Sequence, residues 1–324
     1  MMTAVQSICL LAGLFADTPA PEAADVRKVV ERSIPFLEKE GVAWLETKKC
    51  ATCHHVPMMI WTHHEARQRG FKVNEAAVRK LETAAIGQYL GDPDLTPTGQ
   101  DKGFFEKQLG AGTIYLSLAL AANSTPNEES KKALERFRAN FVSKQNDDGA
   151  WTTKQNQPPL VDGHDVMSML IVVASGQDQT ATSREKALQW LAQTPGREET
   201  QALALRLLVA VTCGQVKERA ERIQQLRSLQ KEDGSWSQTK DLPADALATG
   251  QVLYSLAAAG VTSDDEAVRR ATAYLAKTQQ ADGSWLVHTR NKNGHDPIIS
   301  YYGTGWATLG LLRSLPPGET KPAP

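Results

Sequence analysis

Cysteine is scarce in this sequence, which has four in 324 residues. One of them, Cys9, lies in an N-terminal targeting segment described below, and the remaining three are too few for a disulfide framework. Of these three, Cys213 lies in an apolar helical stretch and is interpreted as a buried core thiol.

An excess of basic residues is also absent. The net charge is −1 and no basic stretch is interleaved with aromatic residues, so we do not expect nucleic acid as a partner. Beyond the N-terminus no apolar run reaches the length of a membrane span, which argues against an integral membrane protein. At 41% apolar and 23% charged, the composition is that of a soluble globular protein with a sizeable core.

Residues 1–20 are predicted to be a signal peptide. The stretch Ala4–Phe15 is almost entirely apolar, and the small residues Ala16 and Ala20 follow where a signal peptidase can cut. No Lys or Arg precedes the apolar stretch, so a frayed or mis-started N-terminus remains the alternative. We therefore expect an exported protein, periplasmic or otherwise extracytoplasmic.

The strongest organisational feature is an internal repeat with the pattern Gln-x-x-Asp-Gly-[Ala/Ser]-Trp. Three copies occur, at Gln145–Trp151, Gln230–Trp236 and Gln279–Trp285, and a weaker echo ends at Gln193. Successive glutamines are 37 to 49 residues apart, a period that indicates stacked supersecondary units. We expect the Gly to take the left-handed backbone that ends a helix, the Gln to bond the next unit's backbone, and the Trp to wedge between units.

Each repeat unit is predicted to be a pair of helices. Segments with an apolar stripe and a charged opposite face predict outer helices at residues 133–143, 185–193, 220–230 and 267–279. The more apolar segments after them predict inner helices at residues 166–174, 202–211, 246–259 and 305–312. Additional helices at compatible spacing, 35–48, 78–89 and 109–122, bring the total to about six pairs, enough to close a ring.

The repeat resembles the QW repeats of squalene and hopene cyclases and related prenyltransferase-type barrels. The resemblance covers residues 133–315 directly. It implies an all-α protein, a single (α/α)6-like barrel or toroid over residues 21–316, with a flexible tail at 317–324. It also implies an apolar cavity, so a terpene cyclase-like or isoprenoid- or lipid-binding barrel without a redox role is one functional alternative.

Cyclase activity itself is disfavoured. The cyclases that this chain resembles protonate an alkene with an Asp-x-Asp-Asp motif, and no such motif occurs here. The nearest candidates for a catalytic acid are Asp162, Asp165 and Asp245, which precede predicted inner helices. An alkene-protonating acid has to be held neutral by apolar surroundings. The alternative for these aspartates is helix capping.

One motif indicates cofactor chemistry: Cys50-Ala51-Thr52-Cys53-His54, the C-x-x-C-H pattern of covalent haem attachment. Two thiols at this spacing can add to the two vinyl groups on one haem edge, and His54 is then placed as the proximal ligand of the iron. An outer-helix pattern ends just before the motif and an inner-helix pattern starts at Val56. We therefore expect haem c at the barrel rim, within the first repeat (residues 42–69).

Other cofactors and ligands stay open. Zinc held by Cys50, Cys53 and a histidine of the pair at 63 and 64 is one alternative, and a redox dithiol is another. The distal iron ligand is undetermined; His164 and Met167, on or next to a different inner helix, are the candidates.

The main functional hypothesis is electron transfer or redox sensing with a partner protein. A five-coordinate iron would instead suit a haem peroxidase-like enzyme. An apolar small molecule is a further possible partner.

Overall fold

The computed structural model describes residues 23–51, 54–91, 109–152, 157–178, 180–290 and 295–316. The predicted signal peptide and the predicted tail lie outside these ranges. Within them the chain forms twelve α-helices and very little sheet, which confirms the all-α prediction. Odd-numbered helices are outer: α1 Ala23–Lys48, α3 Glu75–Leu90, α5 Glu128–Ser143, α7 Ala181–Gln193, α9 Val216–Ser228 and α11 Glu266–Thr278. Even-numbered helices are inner: α2 Val56–Gln68, α4 Ala111–Ala121, α6 Gly163–Ser175, α8 Thr200–Thr212, α10 Ala246–Ala258 and α12 Asp296–Ser314.

The helices close into a ring. Each inner helix packs against the next, from α2 through α4, α6, α8 and α10 to α12, and α12 packs back against α2. Outer helix α11 likewise packs against α1. The apolar pattern explains the two layers: α11 buries one stripe that includes Val268, Ala271 and Leu275, whereas α10 is buried on almost every side. This is the predicted single (α/α)6 toroid.

The repeats join one helix pair to the next through the same set of bonds. In each copy the Gln side-chain nitrogen donates to the carbonyl of the repeat's own Gly and to a carbonyl of the following outer helix. Each Trp ring is buried and donates from Nε1 to the carbonyl ten residues earlier. The predicted role of Gln is thus confirmed. Each Trp bonds the outer helix of its own pair, and its wedging between units stays a prediction. The residues concerned are Gln145, Gln230, Gln279, Trp151, Trp236 and Trp285.

The glycine of the repeat plays a different part from the predicted one. Gly149, Gly234 and Gly283 have φ near +90°, but each lies five or six residues after its outer helix has ended. They complete a tight turn in which the Gly amide donates three residues back. The prediction that this Gly ends the outer helix is therefore wrong, because the aspartate-containing turn follows the helix end.

The last inner helix is also longer than predicted. It begins at Asp296, with a Pro in its first turn, whereas the sequence pattern placed its start at Gly305. The glycines at 303 and 305 lie inside this helix, and each faces a close neighbour, Val287 and Met58 respectively, so they serve contact between elements. A two-stranded antiparallel ribbon, Trp236–Ser237 with Ala244–Asp245, is the other feature that the sequence did not indicate.

No helix among the described residues combines the length and apolarity needed to cross a bilayer.

Candidate functional site

The C-x-x-C-H segment lies in the connection from outer helix α1 to inner helix α2, as predicted. Its described residues are Cys50, Ala51 and His54, while Thr52 and Cys53 lie outside the described residues. The connection starts at Lys49, whose φ of 52° is a left-handed conformation that is uncommon for a residue other than glycine.

Helix α3 fixes the backbone of this connection. Gln88 donates from Nε2 to the Lys49 carbonyl at 3.1 Å and accepts the Ala51 amide with its side-chain oxygen. The neighbouring Tyr89 hydroxyl donates to the Ala51 carbonyl. Both side chains are buried, so the loop is held by groups that have little freedom to move.

His55, the residue after the motif, is stacked between two aromatic rings. Its ring is 4.1 Å from that of Trp44 and 4.0 Å from that of Tyr301, with interplanar angles of 16° and 12°. The Tyr301 hydroxyl donates to the His55 carbonyl at 3.1 Å and to the Leu37 carbonyl at 2.9 Å. His54 contacts His55 through their Nδ1 atoms and lies edge-on to Trp44. A rigid partner therefore sets the orientation of the His54 ring.

Both imidazoles are neutral at neutral pH. Burial lowers the pKa of His54 to about 4. Burial, and next the adjacent His54, lower the pKa of His55 to about 2. Burial also raises the pKa of the half-buried Cys50, which favours its thiol form. A histidine that binds iron has to be neutral, as His54 is here. The cysteine that adds to a haem vinyl group starts as a thiol, which is the form favoured at Cys50.

These residues fit a haem held at Cys50 and His54. The motif supplies a fixed neutral imidazole whose Nδ1 already has a partner, which is the usual arrangement for a metal-binding histidine. The zinc alternative stays open, because Cys53, one of its proposed ligands, lies outside the described residues. Across the described ranges no three His, Cys, Asp or Glu side chains come together around one point. His63 is eight residues past His55, or ~12 Å along a helix.

The distal candidates lie on inner helix α6. His164 is exposed in its first turn, whereas Met167 is fully buried within it. Met169, two residues further on, lines a cavity between helix pairs. Which of these faces the motif stays a prediction.

The aspartate candidates Asp162 and Asp165 belong to an ion-pair cluster at the end of the toroid where the inner helices begin. Asp162 is bound by Arg197 at 2.9 Å and by Arg290 at 2.8 Å. Arg197 also reaches Asp165 at 3.4 Å and Glu199 at 2.9 Å. The Glu199 hydrogen bond is the largest cause of the raised pKa of Arg197. These carboxylates are committed to guanidinium groups, whereas an alkene-protonating acid has to carry a proton.

Asp245 behaves differently from the other two aspartates. It caps α10 by accepting the Ala248 amide at 2.8 Å, and its second oxygen accepts from Gln238 at 2.7 Å. Burial raises its pKa, and the two hydrogen bonds oppose that rise. The capping alternative is the role that the structure gives to Asp245, while neither Asp162 nor Asp165 caps α6 through its side chain.

Sequence reasoning missed most of the residues that shape this site. The motif is held by Gln88 and Tyr89, which lie far from it along the chain, and Arg197 is likewise far from the aspartates that it binds. No local sequence pattern marks these three residues. The signal that was available is the second histidine directly after C-x-x-C-H. Cys213, predicted as a buried core thiol, instead follows the end of α8 and is half-buried against the core.

The closed ring of six helix pairs defines an α/α toroid. No protein-family model and no curated protein matches the chain in sequence.

Solved structures do match it. A variant of the type II terpene cyclase MstE from Scytonema, in complex with geranylgeranyl dihydroxybenzoate, has a TM-score of 0.62 at 13% identity, over 91% of this chain and 98% of that one. A possible member of the GH105 family from Klebsiella pneumoniae has a TM-score of 0.58 at 11% identity, over 97% and 99%. At such low identity the likeness shows the fold alone.

Proposed function

We propose that this chain is an exported c-type haem protein, with the haem attached at the rim of the toroid in the first helix pair. Its role would be electron transfer or redox sensing with a partner protein. The observation that carries the proposal is the C-x-x-C-H connection, whose backbone is fixed by Gln88, Tyr89 and Tyr301 and whose histidine is neutral.

The residues have separate tasks in this proposal. Cys50 and Cys53 would hold the haem by thioether bonds, and His54 would bind the iron through Nε2, because its Nδ1 contacts His55. His55, stacked between Trp44 and Tyr301, would keep the His54 ring from turning. A bound haem supplies one-electron exchange at its iron.

The test is expression with an export signal and haem maturation factors, followed by a pyridine haemochrome spectrum after acid–acetone extraction. The wild type is expected to retain about one haem per chain, as a motif with one histidine ligand predicts. Cys50→Ala and Cys53→Ala are expected to retain less, with an α band at longer wavelength because one vinyl group stays unsaturated. Cys213→Ala, which removes a cysteine outside the motif, is expected to match the wild type.

Two results would contradict the proposal. One is a colourless wild-type protein from cells that mature another C-x-x-C-H protein normally. The other is one equivalent of zinc bound in place of haem. A disulfide between Cys50 and Cys53 in the exported protein would support the redox-dithiol alternative.

The toroid fold and an aromatic cluster in its interior favour a second candidate, binding of an apolar molecule. Trp61 of α2, Tyr254 of α10 and Trp306 of α12 contact each other edge to face, with ring centroids 5.2 to 5.7 Å apart. Tyr302 of α12 extends the cluster across the ring to Tyr115 of α4. Such walls suit isoprenoid chains.

This second candidate is tested by titrating the protein with geranylgeraniol and following tryptophan fluorescence. Saturable quenching that Trp306→Leu abolishes, in a variant whose circular dichroism is unchanged, would support it. Quenching that is linear in geranylgeraniol, or equal in wild type and variant, would count against it. Neither result depends on haem attachment, so the two candidates are judged separately.

A further inference from the structure

A cavity of about 390 Å³ lies between two helix pairs, away from the C-x-x-C-H connection. Its walls come from α6, α7, α8 and α9. The apolar part of the lining includes Met169, Leu188, Leu191 and Val209. Cavities of this size are typical of sites for small organic molecules.

The half-buried side chain of Arg206, on inner helix α8, also lines this cavity. Its Nε and Nη2 atoms are buried and have no hydrogen-bond partner among the described residues. These two nitrogens form one edge of the guanidinium, and that edge matches the two oxygens of a carboxylate. Buried donors without a partner are unfavourable, and among the described residues these two N–H groups are left unsatisfied.

The neighbouring charges do not complete this site. Glu218 bonds Arg222 at 2.7 Å, and Arg222 also donates to Gln225 at 2.6 Å, so that pair is already satisfied. Asp165 pairs with Arg197 through one oxygen, and its other oxygen is buried without a partner. Burial lowers the pKa of Arg206, and next Arg222 does so, while Asp165 and Glu218 raise it.

We propose that the cavity binds a small aliphatic carboxylic acid. The carboxylate would accept two parallel hydrogen bonds from the Nε–Nη2 edge of Arg206 once the side chain turns that edge, which is covered in the free protein, toward the cavity. The alkyl chain would pack against Met169, Leu188, Leu191 and Val209. The apolar residues of the lining would favour this class over inorganic phosphate, which brings an anion but no apolar surface. The site is independent of the haem and of the barrel interior.

The test is calorimetric titration of the mature protein with three probes: octanoate, octanol and inorganic phosphate. Octanoate is expected to bind saturably, and octanol and phosphate at least about tenfold more weakly, because each lacks one half of the recognition. Arg206→Met keeps the apolar stem and removes the charge, and it is expected to weaken octanoate at least about tenfold. Arg219→Met, on the exposed face of α9, is the matched control and is expected to bind as the wild type does.

A second variant protects the test against misfolding of Arg206→Met. Ala192 is exposed at the cavity lining, so Ala192→Trp fills the space and leaves Arg206 intact. It is expected to abolish octanoate binding with unchanged circular dichroism. The proposal is overturned by octanol or phosphate binding as tightly as octanoate, by full octanoate binding to both variants, or by no saturable binding of any probe. The last result would leave a water-bridged pair of Arg206 and Asp165 as the explanation.

Discussion

At the scale of single residues, His55 is the side chain that most restricts the proposed haem ligand. It is buried between two rings that come from different ends of the chain, Trp44 and Tyr301, and it contacts His54 through Nδ1. A metal-binding histidine needs such a partner on its second nitrogen to fix its tautomer and orientation. Stacking and hydrogen bonding therefore act together on one side chain.

We expect His55→Ala to lower the free energy of unfolding by about 2 to 4 kcal/mol, the usual cost of truncating a buried aromatic side chain. Urea denaturation at pH 7 measures this. His295→Ala is the matched control, because that histidine is exposed and does not cap its helix through its side chain. Its expected change is below about 0.5 kcal/mol. Equal losses in the two variants would show that the stack contributes nothing to stability.

The buried histidines of α2 make stability depend on pH. Burial lowers the pKa of His63 and of His64 to about 4 each, whereas an unfolded chain has a value of about 6.5. As the pH falls below 6.5 the unfolded state binds protons that the folded state does not, so stability is lost until both states are protonated, below about pH 4. The contribution is fully present above pH 6.5.

Between pH 7.5 and pH 5 we expect each of these two histidines to account for a loss of roughly 2 kcal/mol in the free energy of unfolding. His63→Gln should therefore lose about 2 kcal/mol less than the wild type over that interval. His295→Gln, at an exposed histidine that does not cap its helix, is the control for the substitution itself. Urea denaturation at both pH values gives the comparison. An identical pH dependence in wild type and His63→Gln would contradict it.

At the scale of helices and turns, the repeat glycines combine a left-handed backbone with a close approach to the next outer helix. An added Cβ on Gly234 would lie 2.4 Å from the Arg270 carbonyl oxygen. On Gly149 it would lie 2.3 Å from that of Lys186, and on Gly283 2.1 Å from that of Arg32. The same small residue thus permits both the turn and the contact between units.

Gly234 and Gly260 separate these two requirements. Gly260 has a similar φ, +85° against +88°, but nothing lies within 4 Å of its added Cβ. We expect Gly260→Ala to cost about 1 kcal/mol from backbone strain alone. Gly234→Ala should cost at least about 2 kcal/mol more, because a packed backbone has to move. Thermal and urea denaturation of both variants measure the difference. Equal losses of stability would mean that the backbone at Gly234 moves away from Arg270 at no cost in free energy.

The helices that could be predicted well are those whose apolar pattern lies within the segment itself. The outer helix at 267–279 and the inner one at 246–259 carry their apolar pattern within the segment, and their predicted ends agree with the structure to within a residue or two. The start of α12 was predicted nine residues too late, at Gly305 instead of Asp296. Local patterns identify an element. The reason for a glycine inside it, such as the contact of Gly305 with Met58, lies in the packing between elements.

At the scale of the whole molecule, ring closure brings the site together. Tyr301 is 246 residues from His55 and reaches it because α12 packs against α2. Glu65 of α2 is likewise paired with Arg313 of α12 and with Arg69. The sequence could predict the C-x-x-C-H motif and its place between an outer and an inner helix. It could not predict that Tyr301 contacts His55 or that Arg313 pairs with Glu65, because these residues become neighbours only when the sixth helix pair packs against the first.

The seam of the ring supplies a direct measure of closure. Gln279 donates to the Val29 carbonyl at 2.9 Å and accepts from Arg32 at 2.8 Å, which joins the last repeat to α1. Gln230 makes the equivalent bond within the ring, to the Ala267 carbonyl at 2.8 Å. Because both glutamines donate to the next outer helix in the same way, Gln279→Ala and Gln230→Ala should each lower the free energy of unfolding by about 1 to 2 kcal/mol.

A closed ring should also unfold as one unit, so tryptophan fluorescence and far-ultraviolet circular dichroism should give coincident urea transitions in both variants. An open array of helix pairs predicts something else. Its Gln279→Ala variant would lose only the bond to the Gly283 carbonyl, while Gln230→Ala would also lose the bond to the Ala267 carbonyl. It would also unfold from its ends, with transitions that separate between the two probes. The ratio of the two losses in free energy of unfolding therefore tests the seam that brings Tyr301 to His55.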